Sequence, residues 1–221
     1  MTSAKIVGMT LKSSVGQPMT VEFRVQANDR ITGSVINTLA TFNANVTCPE
    51  IANRILHNTG VFRMNAQSGA ALAGGDTFYP SEWELSVDRK MSGVYGIGGV
   101  FNTIDEPTND GTPEVKLKLT LPRWTAQTHF TNWEANTPQK MDCTFTGGLL
   151  AGSTYRSLVL SLPNIKYATV DAPEERGIVP LNMEYNAFGC LTAPSGMTGI
   201  TKPFRAVLTN DYGGDPLQIG N

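Results

Sequence analysis

The chain has 221 residues and a mass of 23.8 kDa, which is enough for one generous domain or two small ones. Charged residues make up only 16% and the formal net charge is −2, which argues against a coiled coil, a disordered chain and a protein that grips duplex DNA through a basic surface. The 25 threonines, 22 glycines and 13 prolines favour strands and turns, so the composition predicts a mainly β protein.

Alternation of apolar and polar residues recurs in eight segments along the chain and predicts strands with one buried and one solvent-exposed face. Such strands form antiparallel sheets with a single buried side, and this number of them indicates a β-sandwich or barrel. The apolar positions, which are expected to form one core, are Val21, Phe23 and Val25; Phe42, Ala44 and Val46; Trp83, Leu85 and Val87; Val115, Leu117, Leu119 and Leu121; Met141, Cys143 and Phe145; Leu158, Leu160 and Leu162; Val179, Leu181, Met183 and Tyr185; and Phe204, Ala206 and Leu208.

Two stretches predict short helices beside the sheet. Thr47 and Glu50 fit a capping box, apolar residues follow at helical spacing, and Gly60 ends the helix. The second stretch, residues 125–136, carries apolar side chains on one side and is stopped by Pro138. Each helix is about three turns long and too short to be stable alone, so both are expected to lie against the β core.

The segment 89–114 is longer than most loops and mixes glycines with apolar side chains. Two interpretations stay open: a loop that contacts a partner surface, and an extra β-hairpin of the same domain. The residues expected to make the contact are Val94, Tyr95, Ile97, Val100 and Phe101.

No pattern of catalytic, cofactor-binding or metal-binding residues stands out, so the sequence predicts that the protein is not an enzyme and uses no cofactor. His57 and His129 have no second ligand at helical spacing and are expected at the surface or in packing. The glycine run 93–99 lacks the last glycine of the dinucleotide-binding pattern and opens no helix.

The remaining special side chains predict packing roles in a protein made and used inside a cell. The sequence has neither a run of 18 apolar residues nor the apolar stretch of a signal peptide. Three cysteines without paired spacing are expected to be buried free thiols, and the tryptophans are expected to fill the core. These residues are Cys48, Cys143 and Cys190, and Trp83, Trp124 and Trp133.

Five stretches follow one another in an informative order. They are a short strand, a Gly-x-Pro turn and a strand (6–21); a strand (81–89) before the long segment; a strand after it (114–121); a helix (125–136); and "strand, Leu-Pro, strand, closing strand" (157–167 and 179–187). This series, over residues 5–188, resembles the tail tube proteins of long-tailed bacteriophages.

The resemblance implies a mainly β, antiparallel sandwich or barrel of the tail-tube type, with one or two short flanking helices, over residues 1–188 and a C-terminal extension over 189–221. Subunits of that family join edge to edge in rings, most often hexamers, and the rings stack into the hollow tube through which the genome leaves. The segment 89–114 would make the contacts between rings. The place of action would be the virion tail, assembled in the cytoplasm of the bacterial host.

The partners that the resemblance implies are further copies of the chain, a tape-measure protein, a tail terminator and baseplate proteins. Phage DNA would pass through without specific binding, and no membrane is involved. The channel wall is expected to be neutral or acidic, drawn from Glu22, Glu84, Asp142 and Glu184. The alternatives are a tube protein of a contractile secretion system, which shares the fold, and a β-sandwich binding or adhesin module.

Overall fold

A computed structural model describes residues 5–26, 55–93, 108–124, 126–173 and 177–210. Within these ranges the chain is mainly β and antiparallel, as the composition predicts, with the single α-helix α1 (Thr128–Glu134). The strands are β1 (Lys5–Ser14), β2 (Thr20–Gln26), β3 (Gly60–Ala66), β4 (Thr77–Phe78), β5 (Glu82–Asp88), β6 (Met91–Ser92), β7 (Thr108–Asn109), β8 (Glu114–Leu121), β9 (Gln139–Ala151), β10 (Thr154–Asp171), β11 (Leu181–Ala187) and β12 (Arg205–Thr209).

Ten of these strands form one antiparallel sheet in the order β2-β1-β5-β8-β11-β10-β9-β3-β4, with β12 also paired to β10. The 18-residue strand β10 belongs to both halves of this sheet. Its first part pairs with β9 and β12, and its last part pairs with β11. The ladder with β9 shifts between Leu162 and Ile165, around Pro163. A proline has no amide hydrogen to donate, so it fits at this break.

The sheet folds over so that its two halves face each other. We call β2, β1, β5, β8, β11 and the end of β10 the large layer, and the start of β10 with β9, β3, β4 and β12 the small layer. Trp83 of β5 stacks on Phe145 of β9 with ring centroids 5.5 Å apart, although these strands are not neighbours in the sheet. Phe62 of β3 contacts both rings. The arrangement is a sandwich whose sheet stays open.

The core lies between the two layers and contains most of the apolar positions that were predicted to be buried. Leu160, for example, is 2% exposed. Burial is likewise confirmed for Leu117, Leu119, Leu158, Leu181 and Met183. Cys143 is a buried free thiol, and burial raises its pKa, whereas Cys190 is only half-buried.

The predicted burial of the outermost strands is wrong. Val21, Phe23 and Val25 are exposed, because β2 is the last strand of the large layer and the small layer does not cover it. Ala206 and Leu208 of β12 are exposed in the same way. The segment with Phe42, Ala44 and Val46 lies outside the described residues, as does Cys48.

The first predicted helix is wrong over its described end. Leu56 forms a β-bridge with Pro18, residues His57–Thr59 form one 3-10 turn, and Gly60 begins β3 with an extended backbone. The reason is a pairing that local sequence does not show: the Met19 amide donates to the Ile55 carbonyl at 3.0 Å. Residues 47–54 lie outside the described residues.

The second predicted helix is confirmed as α1, with narrower bounds. It packs on β10 through Phe130, and the His129 Nδ1 lies 3.0 Å from the Tyr167 hydroxyl. Burial lowers the pKa of His129. Trp124 and Trp133 were expected in the core, but they are 41% and 39% exposed because α1 lies on the outside of the sandwich. Of the three tryptophans, only Trp83 lies in the core, as predicted.

A buried lysine attaches the C-terminal segment to the sandwich. Lys140 of β9 is fully buried, and its Nζ donates to the carbonyls of Gly69 at 2.8 Å and Ser195 at 3.1 Å. Burial lowers the pKa of Lys140. Met197 and Ile200 are buried beyond it, and β12 then pairs with β10. Within residues 190–210, the C-terminal segment therefore extends the same core and the same sheet.

Replacing Leu160 by Ala should lower the free energy of unfolding by about 2–5 kcal/mol, because it leaves a cavity in a packed site. The matched control is Leu208→Ala, whose side chain is 60% exposed, and its cost should be below about 1 kcal/mol. Urea denaturation of both variants at a monomeric concentration measures the difference. A loss near zero at Leu160 would mean that the core face is assigned wrongly.

Candidate functional site

The predicted contact residues Val94, Tyr95, Ile97, Val100 and Phe101 lie outside the described residues. The base of their segment is described, and it is a hairpin: Met91 pairs with Asn109 and Ser92 with Thr108. We call these two short strands, β6 and β7, the stem. The Asp110 amide donates to the Lys90 carbonyl at 2.7 Å and closes the stem against the body.

A cluster of charged side chains holds the stem in place. Asp88 accepts hydrogen bonds from the Lys90 amide at 3.0 Å and contacts the Lys90 and Arg24 side chains at 3.3 Å. Lys90 also contacts Glu114 at 3.3 Å. The amide hydrogen bond lowers the pKa of Asp88, and the neighbouring carboxylates raise the pKa of Lys90. The cluster joins β2, β5 and β8 around a recess of about 460 Å³, which we call the stem recess.

Strand β2 forms one open edge of the sheet and pairs with β1 alone among the described strands. Its apolar side chains continue the rows of the core, because Val21 lies opposite Leu11 and Phe23 opposite Met9. Leu11 is 5% exposed, whereas Phe23 is 56% exposed. The core-facing surface therefore runs past the small layer and ends uncovered.

Strand β12 forms a second open edge with the same property. Leu208 lies opposite Leu158, and Ala206 lies opposite Leu160. Both partners on β10 are buried, yet Leu208 is 60% exposed. In the part of the chain that the structure describes, β12 pairs only with β10. The described part of the sheet thus has two different edges at which core-facing side chains are exposed.

Open edges with apolar side chains attract other strands, and proteins usually protect them with charges or short strands. The charged side chains of β2 are engaged within the chain, since Glu22 contacts Lys12 at 2.7 Å and Arg24 contacts Asp88. These pairs lie on the outward face and leave the core-facing side open. The two edges are therefore suited to association.

One row on the outward face of the large layer carries charges of alternating sign. Lys12 lies opposite Glu84, Glu84 opposite Lys118, and Lys118 opposite Glu184, in one row across four strands. Glu22 of β2 belongs to the same face, opposite Thr10. Opposite charges on neighbouring strands stabilise each other and leave little net charge.

Asp142 does not share this face with the other predicted wall residues. It lies on β9 in the small layer, where Arg63 Nε donates to its Oδ1 at 2.9 Å. Burial raises the pKa of Asp142. The structure therefore brings together Glu22, Glu84 and Glu184 and separates Asp142 from them.

The group nearest to a catalytic arrangement is a buried serine, histidine and tryptophan. Trp83 Nε1 donates to Ser13 Oγ at 2.7 Å, and Ser13 Oγ lies 2.9 Å from His57 Nδ1. His57 Nε2 lies 2.9 Å from the Pro80 carbonyl. A neutral imidazole satisfies the whole chain, with Nε2–H donating to Pro80 and the Ser13 hydroxyl donating to Nδ1.

This hydrogen-bond network connects β1, β5 and the residues before β3. Ser13 and His57 are buried, and each polar atom named has a partner. Of the two roles predicted for His57, at the surface or in packing, the structure shows packing. A groove of about 440 Å³ between Lys12, Glu82, Glu84 and Lys118 passes beside it. Among the described residues no three potential metal ligands cluster, and no helix there is long and apolar enough to cross a membrane.

Comparison with models of known protein families gives no match to this chain, and comparison with curated proteins gives none either.

Replacing Ser13 by Ala should lower the free energy of unfolding by about 1–3 kcal/mol, because it leaves the buried Trp83 N–H and His57 Nδ1 without partners. The control is Ser14→Ala, which alters an outward-facing hydroxyl and should change stability by less than about 0.5 kcal/mol. Thermal or urea unfolding measures both. Equal effects at the two positions would show that the hydroxyl network contributes nothing.

Proposed function

We propose that this protein is a structural subunit that assembles with copies of itself into rings, most often hexamers, and that the rings stack into the hollow tail tube of a long-tailed bacteriophage. Its role is architectural and not catalytic. The observation that carries the proposal is the pair of open sheet edges, β2 and β12, each with core-facing apolar side chains exposed. The resemblance in segment order supports the particular kind of assembly.

Two different open edges favour a head-to-tail joint. If β2 of one copy covers β12 of the next, the pair still has one free edge of each kind, one on each copy, and the contact repeats until it closes on itself. A symmetric dimer would leave the other edge open. A ring covers every copy of β2 and β12, which removes the tendency of these two edges to pair without control.

The exposed side chains supply enough free energy for such a joint. Fully burying a valine, leucine or phenylalanine side chain contributes about 1.5–3 kcal/mol. Val21, Phe23 and Val25 on one edge and Leu208 on the other would be covered together. Part of this gain offsets the loss of translational and side-chain freedom on association. Ring closure then makes the last joint intramolecular and strengthens the whole assembly.

The charged outward face of the large layer supports the passage of DNA. Phosphate affinity comes from clustered cations. Here each lysine of the row formed by Lys12, Glu84, Lys118 and Glu184 lies opposite a glutamate. If this face lines the channel, DNA meets a wall without a continuous cationic track and slides along it.

Purified protein should form rings or tubes in electron micrographs, and Phe23→Glu or Leu208→Glu should each abolish them, because a buried charge opposes the joint. The control is Tyr79→Glu, at a 73% exposed site away from both edges, which should assemble like the wild type. Circular dichroism checks that all variants are folded. A wild-type protein that stays monomeric at high concentration would overturn the proposal and favour a binding module.

Mixing the two edge variants tests whether β2 meets β12. A joint needs one intact β2 edge and one intact β12 edge. In each variant one of the two edges is damaged in every copy, so each variant alone should be monomeric. The mixture should form one-to-one dimers, since the β2 edge of the Leu208→Glu variant can join the β12 edge of the Phe23→Glu variant. Sedimentation velocity separates these species. A mixture that remains monomeric would show that the two edges do not meet each other.

The assembly should pass through a DNA column at physiological salt without retention, because its outward charges alternate in sign. The matched variant carries Glu84→Lys and Glu184→Lys, which turns the same row into a cationic track and should be retained, with elution at higher salt. The elution salt concentration is the measurement. Strong retention of the wild type would contradict the proposed channel wall.

A further inference from the structure

The register of the strands places two projecting hairpins at opposite ends of the sandwich. In the large layer, β5 runs from Asp88, beside the stem, to Trp83, which lies opposite Ser13 near the β1–β2 turn. In the small layer, β9 runs in the same direction, from Gln139 to Phe145. Gln139 lies opposite Ile165, which pairs with Ala187 at the Asp88 end of the large layer, and Phe145 stacks on Trp83 at the other end. We call the two ends the stem end, where β6 and β7 lie, and the turn end, where the β1–β2 turn lies.

The β9–β10 hairpin continues past its neighbours at the turn end. Strand β3 pairs with β9 only as far as Phe145, and β12 pairs with β10 only from Ser157. Residues 147–156, which we call the hairpin tip, therefore have ladder partners only within the hairpin, in the part of the sheet that the structure describes. At about 3.3 Å per residue the tip projects roughly 15 Å. Gly152 has φ = 59°, which suits the two-residue turn at its end.

The hairpin tip has the composition of a contact surface. Leu149 and Tyr155 face each other across the two strands and are 53% and 50% exposed. Arg156 is the one charged residue in 147–156. A two-stranded hairpin is at best marginally stable in water by itself, and one with few charges and two open edges readily pairs with other chains. A second surface that covers Leu149 and Tyr155 would stabilise it.

The stem end offers a surface of opposite character. The stem recess is lined by Arg24 and Lys90 and by the carboxylates Asp88, Asp110 and Glu114, so the carboxylates outnumber the cations. Asp88 and Glu114 contact the two cations, whereas Asp110 forms no ion pair with another described residue. The recess therefore carries an excess negative charge, and Asp110 provides it.

We propose that the hairpin tip of one copy docks at the stem end of the next copy, with Arg156 facing the Asp110 side of the stem recess. The contact joins opposite ends of identical chains, so it repeats along one axis. Leu149 and Tyr155 are covered by the neighbour, and the Arg156 guanidinium meets the negative recess. This inference rests on the proposed assembly, in which the edges β2 and β12 make the rings and the two ends make the stack.

The first experiment separates the two kinds of contact. Leu149→Asp with Tyr155→Asp should leave rings intact and abolish tubes in electron micrographs, because only the axial contact is lost. The matched control is Leu191→Asp, at a fully exposed leucine outside the tip, and it should form tubes like the wild type. Tubes from the double variant would overturn the inference. Loss of the rings as well would also overturn it, since the tip would then belong to the ring joint.

The second experiment tests the charge pairing by exchange. Arg156→Glu alone and Asp110→Arg alone should each shorten or abolish tubes, because each places like charges together in the contact. The protein with both substitutions should recover tube formation, measured as tube length and as the sedimenting fraction. Failure of the exchanged pair to exceed the single variants would overturn the assignment of Asp110. Rings that persist in every variant would leave the proposed ring joint intact, so the two proposals fail separately.

Discussion

The packing of Trp83 between the two halves of the folded sheet fixes the rest of the structure. Its ring stacks on Phe145 and meets Phe62, and its N–H needs the Ser13 hydroxyl, which is itself held by His57. A buried indole without that partner would cost about 1–3 kcal/mol, so ring position and hydrogen bonding determine each other. The small layer is thereby centred over β5, and not over the edge of the large layer.

That offset explains why a well-packed protein exposes the apolar side of its outer strands. With β9 and β3 above β5, nothing in the small layer reaches Phe23 on β2, and Leu208 on β12 extends past the other side. The two edges differ in sequence: β2 is the first strand of the sheet order, whereas β12 lies off that order, beside β10. In the proposed assembly, copies that join edge to edge cover these side chains, and the ring is the closed form of that addition.

The long hairpin and the stem project at opposite ends of the strands. Strands β9 and β10 are longer than the neighbours that they pair with, so their excess projects at the turn end. At the opposite end, the chain leaves β5 and returns to β8 through the stem, where Asp88, Lys90 and Glu114 fix its direction. Each subunit thus has distinct ends along the strands as well as distinct edges across them, which is what a stacked ring requires.

The sequence alone determined the class of fold, because the period of two in segments such as 115–121 and 157–162 needs no tertiary information. It also placed Leu160 and Met183 in the core and α1 beside it. It missed β3, although Phe62, Met64 and Ala66 alternate there with Arg63 and Asn65. It also extended a helix to Gly60, where the Ile55 carbonyl instead accepts a hydrogen bond from Met19. Whether Phe23 is covered depends on how far another layer reaches, and the shared face of Glu84 and Glu184 depends on register. Only the tertiary structure decides such questions, since alternation shows that a strand has two faces but not what lies against each one.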